Sequence, residues 1–301
     1  MTRPALQLRR ALESGPVLLD GGLSNQLEAQ GCDLTGDLWS ARLLADAPER
    51  LEAAHRAYVR AGARVVITSS YQASFEGFGQ RGVTRREAAA LLGRSVRLAR
   101  AAAEDTRAWV AASVGPYGAV LADGSEYRGR YGLSEWDLTR FHRERVSALV
   151  AAEPDVLALE TVPDVVEAAA LLRATEDCGV PVWLSYTVRG TRTRAGQPLD
   201  EAFDMVRGHP HVLAAGVNCC TAQDADRAVE TAATWAGKPV VVYPNSGERW
   251  DADGRRWHGP ADFPARRVRD WVRRGARLVG GCCRVGPDEI TELARELASM
   301  P

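Results

Sequence analysis

An α/β protein whose strands and helices alternate eight times and close into a single barrel is the fold class that the sequence predicts. Three observations carry it. Short apolar, β-branched runs recur along the chain, amphipathic Ala/Leu/Arg segments separate them, and eight such units in 301 residues suit the size of a (β/α)8 TIM barrel. The runs are residues 17–20, 65–70, 109–115, 156–160, 182–188, 213–219, 239–244 and 277–283. Each is apolar nearly throughout rather than alternately, as strands of a parallel sheet buried on both faces should be. Residues 87–106 show helical spacing, with Ala88, Leu91, Leu92, Val96 and Ala99 on one face and arginines elsewhere. The competing architecture is an open, doubly wound sheet. No run is followed by G-x-G-x-x-G, and Asp20-Gly21-Gly22 lacks that spacing, so the barrel is preferred. No Pro/Gly/Ser linker or low-complexity tract divides the chain, and residues 1–301 read as one domain.

Composition narrows the function. The chain is 46% hydrophobic and 26% charged, an ordinary globular balance. A chain of this length buries roughly 75% of the surface that its unfolded form exposes, so its core needs no disulfide. Its 38 basic and 39 acidic residues leave a net charge of -1, with no segregated basic face of the kind that nucleic acid requires. The longest apolar runs, such as residues 108–112, fall far short of the roughly 20 residues that cross a bilayer. The first 13 residues carry Arg3, Arg9 and Arg10 without an apolar core, which does not suit a signal peptide. These features predict a cytoplasmic protein with small-molecule partners, no membrane or nucleic-acid partner and no implied oligomer.

In such a barrel the chemistry sits just past the C-terminal strand ends. Four of the six cysteines fall at the ends of runs six and eight, which one strand separates. Thiolates of Cys219, Cys282 and Cys283 would form a soft zinc site with the fourth tetrahedral position open. Adjacent cysteines on a regular strand point to opposite faces, so Gly280-Gly281 is expected to free the backbone there. One of Cys219 and Cys220 should face the mouth and the other not. A vicinal redox pair, plain core packing and a structural four-cysteine site are the alternatives, although the C-x-x-C spacing of the last is absent. Cys32 and Cys178 read as inert small hydrophobes. The five histidines lie in expected helices or loops without H-x-x-x-H spacing and read as surface or packing residues. Asp20 and Glu160 end runs one and four. With the amides of Gly21-Gly22, they could trap a zwitterionic amino acid, while helix capping is the competing role.

Taken together, these motifs resemble the homocysteine S-methyltransferase family. They are Gly216-Val217-Asn218-Cys219 and Gly280-Gly281-Cys282-Cys283-Arg284, with Asp20-Gly21-Gly22, Ser70-Tyr71-Gln72-Ala73, Val114-Gly115-Pro116-Tyr117-Gly118-Ala119 and Glu160-Thr161 ahead of them. The runs Leu121-Ala122-Asp123-Gly124-Ser125-Glu126-Tyr127 and Tyr243-Pro244-Asn245-Ser246-Gly247-Glu248 resemble the subgroup that uses S-methylmethionine. The resemblance implies a zinc barrel in which Cys219, Cys282 and Cys283 bind the metal, homocysteine's sulfur takes the open position, and Asp20, Gly21 and Glu160 contact the amino acid. The catalytic group is then the zinc-activated substrate thiolate, with no protein nucleophile. Gln72 stands where the betaine-using branch has a tyrosine, so that residue's donor contact does not carry over.

The expected reaction makes methionine from S-methylmethionine, with S-adenosylmethionine as a second, weaker donor. Selenocysteine or betaine methyl transfer of the same chemistry is the nearest alternative, and a non-catalytic amino-acid-binding barrel with structural zinc is the alternative from another class. A sulfonium donor needs aromatic faces, for which Tyr71, Tyr117, Tyr127 and Trp250 are candidates. The long third loop, residues 115–131, has covering the donor as its expected use. Tyr117 or Tyr127 then contacts the sulfonium or its amino acid, with Asn245 and Glu248 as partners.

Overall fold

The structure is a computed structural model that describes residues 3–34, 39–251, 256–259, 261, 263 and 265–300. Eight strands form one sheet: β1 (Val17–Leu18), β2 (Val65–Ile67), β3 (Trp109–Val114), β4 (Val156–Val162), β5 (Val182–Tyr186), β6 (Val212–Asn218), β7 (Val240–Tyr243) and β8 (Ala276–Val279). All neighbours pair in parallel, in the order β1-β8-β7-β6-β5-β4-β3-β2. A parallel bridge from Leu19 to Val65 joins the two ends of that order, so the sheet closes and the open doubly wound arrangement is excluded.

Why the strands are apolar on both faces follows from where successive side chains go. Along β3, Val110, Ala112 and Val114 pack beneath the surrounding helices, whereas Ala111 enters an inner cluster with Ala158, Trp183, Ala214, Val241 and Leu278. Every strand residue is therefore desolvated on one side or the other. Leu8 and Leu12 of the first helix (Arg3–Ser14), which leads into β1, join the inner cluster.

Several boundaries differ from those read in the sequence. The helix expected at 87–106 runs Arg85–Ala103, because Thr84 caps it: its hydroxyl accepts from the Glu87 amide, and the Glu87 carboxylate accepts from the Thr84 amide. Run five ends at Tyr186, and Val188–Arg189 pairs instead with Arg192–Thr193 in a separate antiparallel ribbon. His258 lies on a second ribbon, Arg249–Asp251 with Arg256–His258, rather than in a helix or loop. Run eight leaves strand geometry after Val279, where backbone donors reach across the mouth: Gly281 to the Asp20 carbonyl at 3.1 Å and Cys282 to the Pro244 carbonyl at 2.8 Å. Asp20, Cys282 and Cys283 consequently sit on loops just beyond the strand ends. Among the described residues, no helix is long and apolar enough to cross a membrane.

Candidate active site

Cys219 immediately follows β6, and its backbone adopts φ +51°, the left-handed region that side chains other than glycine's seldom enter. Two bonds hold it there: its amide donates to the Tyr243 carbonyl at 3.2 Å, and its carbonyl accepts from the Thr187 hydroxyl at 3.2 Å. The twist separates the adjacent cysteines. The Cys219 sulfur joins those of Cys282 and Cys283, while Cys220 packs into the outer hydrophobic cluster. Burial pushes the Cys220 thiol pKa well up, as befits an inert packed cysteine.

The three sulfurs all lie within 4.8 Å of one another, with Cys219 and Cys283 at 3.5 Å. Tetrahedral sulfur ligands at about 2.3 Å from a metal stand roughly 3.8 Å apart, so the observed spacing accepts a soft divalent ion after small adjustments. Thiol hydrogen bonds from Cys282 and Cys283 lower the Cys219 pKa well below the usual thiol value. Among the described residues this is the only such cluster of His, Cys, Asp or Glu, and it contains no fourth ligand. Three soft donors with one position open suit a reactive metal better than a structural one.

The glycines before the cysteines act differently from what was expected. Neither Gly280 nor Gly281 has positive φ; they are needed for close approach. A Cβ on Gly281 would stand 2.1 Å from a methyl of buried Val285, and one on Gly280 would stand 2.6 Å from the Leu19 Cβ. Gly281→Ala should cost about 1–3 kcal/mol by overpacking, read as a lower urea midpoint with unchanged slope. A midpoint equal to the wild type's would show that this loop yields freely.

Two buried carboxyls flank the cluster. Glu160 accepts from the Ser113 hydroxyl on one oxygen and from the Tyr243 hydroxyl, at 2.9 Å, on the other. Tyr243 is itself fixed by Trp183 Nε1 at 3.2 Å and by Ser185 at 2.8 Å. Burial pushes the Glu160 pKa up to about 7 against the pull of those hydrogen bonds. Asp20 takes the Ile67 amide on Oδ2 at 2.8 Å and leaves Oδ1 buried without a partner. Burial raises its pKa well above the usual carboxylate value, and nearby Glu160 adds to the rise. Neither carboxylate caps a helix through a side-chain bond; each is aimed inward and short of a positive charge. Of the two turn amides, that of Gly22 is committed to the Val285 carbonyl at 2.9 Å.

The third-loop residues divide. The Tyr127 hydroxyl lies 3.2 Å from the Cys219 sulfur, and its ring carries the Arg194 guanidinium 5.6 Å from the centroid. Tyr71 is half-buried; its desolvation raises its pKa well above the usual tyrosine value, and the Glu126 and Cys219 charges add to the rise. Tyr117 instead packs its ring 5.0 Å from Phe141 and 5.4 Å from Tyr131. Gln72 donates to the Ala119 carbonyl at 3.1 Å and pins the loop. Asn245 accepts from the Cys283 amide at 3.2 Å, and Glu248 pairs with Arg284 at 3.1 Å, so both brace the cysteine loop. The Trp250 side chain lies outside the described residues. Sequence reasoning passed over Ser113 and Ser185, and it gave no role to Asn218 or Tyr243 although both stood in its motifs. The Asn218 carboxamide accepts from the Thr161 amide at 2.7 Å and from Ser185 at 2.9 Å, tying the end of β6 to Thr161, next to Glu160 on β4.

A closed parallel barrel with a trio of converging thiols and a buried acidic pocket at the same mouth defines the class: a barrel enzyme for a small molecule, with a thiol cluster that could hold a metal ion. Comparison with known proteins narrows it. The family model for homocysteine S-methyltransferase matches residues 17–297. The chain is 43% identical over 300 residues to the homocysteine S-methyltransferase of Escherichia coli, covering 95% of this chain and 97% of that one. It is 39% identical over 309 residues to the Bacillus subtilis homocysteine S-methyltransferase YbgG, covering 97% and 98%. Among solved structures, the metallated form of the E. coli homocysteine methyltransferase MmuM superposes with a TM-score of 0.85 at 41% identity, covering 93% of this chain and 96% of that one. The chain belongs to the homocysteine S-methyltransferase family.

Proposed function

We propose that this enzyme, working in the cytoplasm, transfers a methyl group from S-methylmethionine to the sulfur of homocysteine, using zinc held by Cys219, Cys282 and Cys283. The observation that carries the reading is the three-thiol cluster with its fourth position open beside two buried, charge-starved carboxyls. Zinc bound there would take homocysteine's sulfur as its fourth ligand and keep it a thiolate at neutral pH. Glu160 and Asp20 receive the substrate ammonium, and the Gly21 amide its carboxylate. This grip aims the sulfur at the methyl carbon: the new S–C bond forms as the donor's S–C bond breaks, and the departing thioether is neutral and needs no general acid. Tyr127 and Tyr71 cover the reacting atoms on the third-loop side and exclude water.

A donor panel tests this reading, with homocysteine as acceptor and methionine formation as readout. S-methylmethionine should give the highest kcat/KM, S-adenosylmethionine less, and betaine none; turnover with betaine alone would overturn the donor assignment. Selenocysteine as competing acceptor belongs in the same panel. Tyr127→Leu should raise the S-methylmethionine KM by roughly 2- to 30-fold, the equivalent of about 0.5–2 kcal/mol for a lost ring face. A KM within twofold would move the cation's aromatic partner to Tyr71.

A further inference from the structure

The carboxyl of Glu126 has no part in the machinery described so far, yet it is 5% exposed and its Oε2 is buried with no hydrogen-bond partner. The short turn Ser125–Tyr127 that carries it is packed tightly: a Cβ on Gly118 would stand 2.5 Å from the Glu126 amide nitrogen. Glu126 immediately precedes Tyr127, whose hydroxyl lies 3.2 Å from the Cys219 sulfur, and its charge is felt at the Tyr71 hydroxyl. The neighbouring arginines bond elsewhere. Arg128 donates to the Ser125 hydroxyl at 2.7 Å, Arg130 to the Ala195 carbonyl at 2.6 Å and Arg194 to the Tyr127 carbonyl at 2.9 Å. A buried acid left without a cation of its own is costly unless a ligand supplies one.

We infer that Glu126 is the counter-charge for the sulfonium of the methyl donor, flanked by the ring faces of Tyr71 and Tyr127. The inference rests on the sulfonium-donor reading above and goes beyond it. Homocysteine brings one cation, its ammonium, for which Glu160 and Asp20 suffice. The donor brings two more, its own α-ammonium and the sulfonium, and of these the sulfonium is the one that must lie next to the accepting sulfur and hence near Cys219. A sulfonium has no N–H to donate, so it is held by charge and aromatic faces rather than by directed hydrogen bonds. Methyl transfer erases that positive charge as the donor becomes a neutral thioether. Glu126 therefore favours the charged donor over its uncharged product. Its contribution is made in the ground state and falls away as the bond breaks, so it shows in KM and not as a lower kcat.

The test is Glu126→Gln, with Glu126→Asp as a charge-retaining companion, assayed at saturating homocysteine. In Glu126→Gln the S-methylmethionine KM should rise tenfold or more, with kcat within twofold or higher, while metal content and the homocysteine KM stay put; Glu126→Asp should fall between Gln and wild type. Methionine, competing at the donor site with its amino-acid end intact and its sulfur neutral, should inhibit both variants as it does the wild type. A donor KM within twofold in Glu126→Gln overturns the inference. So does a parallel loss of methionine inhibition, which would make the carboxylate a partner of the amino-acid end. Wild-type enzyme that turns over no sulfonium donor fails the donor reading itself, before any variant is compared.

Discussion

Alanine at Cys219, Cys282 or Cys283 leaves a protein without bound metal and without measurable methyl transfer, whereas Cys220→Ala keeps both. The contrast is the point of the experiment. The first three sulfurs converge within 4.8 Å, and removing one leaves two thiolates to hold a divalent ion. Cys220 differs from Cys219 by one position but packs into the outer hydrophobic cluster. Elemental analysis of the purified variants checks each in turn. Full metal in a Cys219, Cys282 or Cys283 variant removes that residue from the ligand set, and loss of metal from Cys220→Ala would point to a four-cysteine structural site.

Glu160→Gln weakens homocysteine use by roughly tenfold or more while metal stays bound, since removing one partner from a desolvated ion pair costs about 2–5 kcal/mol. The pH profile separates this from a packing defect. Burial pushes the Glu160 pKa up to about 7, and only the ionised form attracts an ammonium. The wild-type kcat/KM for homocysteine should therefore fall on the acid side through an ionisation near that value, a limb that the glutamine variant lacks. Stability runs the opposite way. Between the ordinary value of 4.5 and about 7, the folded protein holds a proton on Glu160 that the unfolded chain has released, so the fold loses stability as pH rises through that window. An unchanged homocysteine KM and an unchanged pH profile in the variant would return Glu160 to a structural role.

The eight-fold beat of the chain was legible because each barrel strand is desolvated on both faces, which leaves an uninterrupted apolar run in the sequence. The convergence of Cys219 with Cys282 and Cys283 was legible too, since a single strand separates the two strand ends that carry them. What escaped were contacts made across the mouth. Glu160 meets Ser113 and Tyr243, which lie 47 and 83 positions away, and nothing local to any of the three announces the meeting. Glu126 stood inside a motif whose glycines and tyrosines drew attention instead; its meaning depends on an unpartnered oxygen that only packing reveals. Gly280-Gly281 was recognised as necessary but for the wrong reason, because sequence does not distinguish a glycine that must bend from one that must leave room. The start of the Arg85–Ala103 helix was missed although Thr84 and Glu87 carry the capping pattern at the usual spacing.

The end of β7 reaches all three cysteines and Glu160. The Tyr243 carbonyl takes the Cys219 amide, the Pro244 carbonyl takes the Cys282 amide, the Asn245 side chain takes the Cys283 amide, and the Tyr243 hydroxyl holds Glu160. These bonds belong to the polypeptide alone. In small zinc modules the ion organises an otherwise unfolded chain, and most of its binding free energy is drawn off by that ordering. Here the ligand-bearing turns are set by the strand between them, so little ordering is left for the ion to do. An ion bound there would keep most of its intrinsic affinity, because the barrel is a receptor organised in advance of the metal.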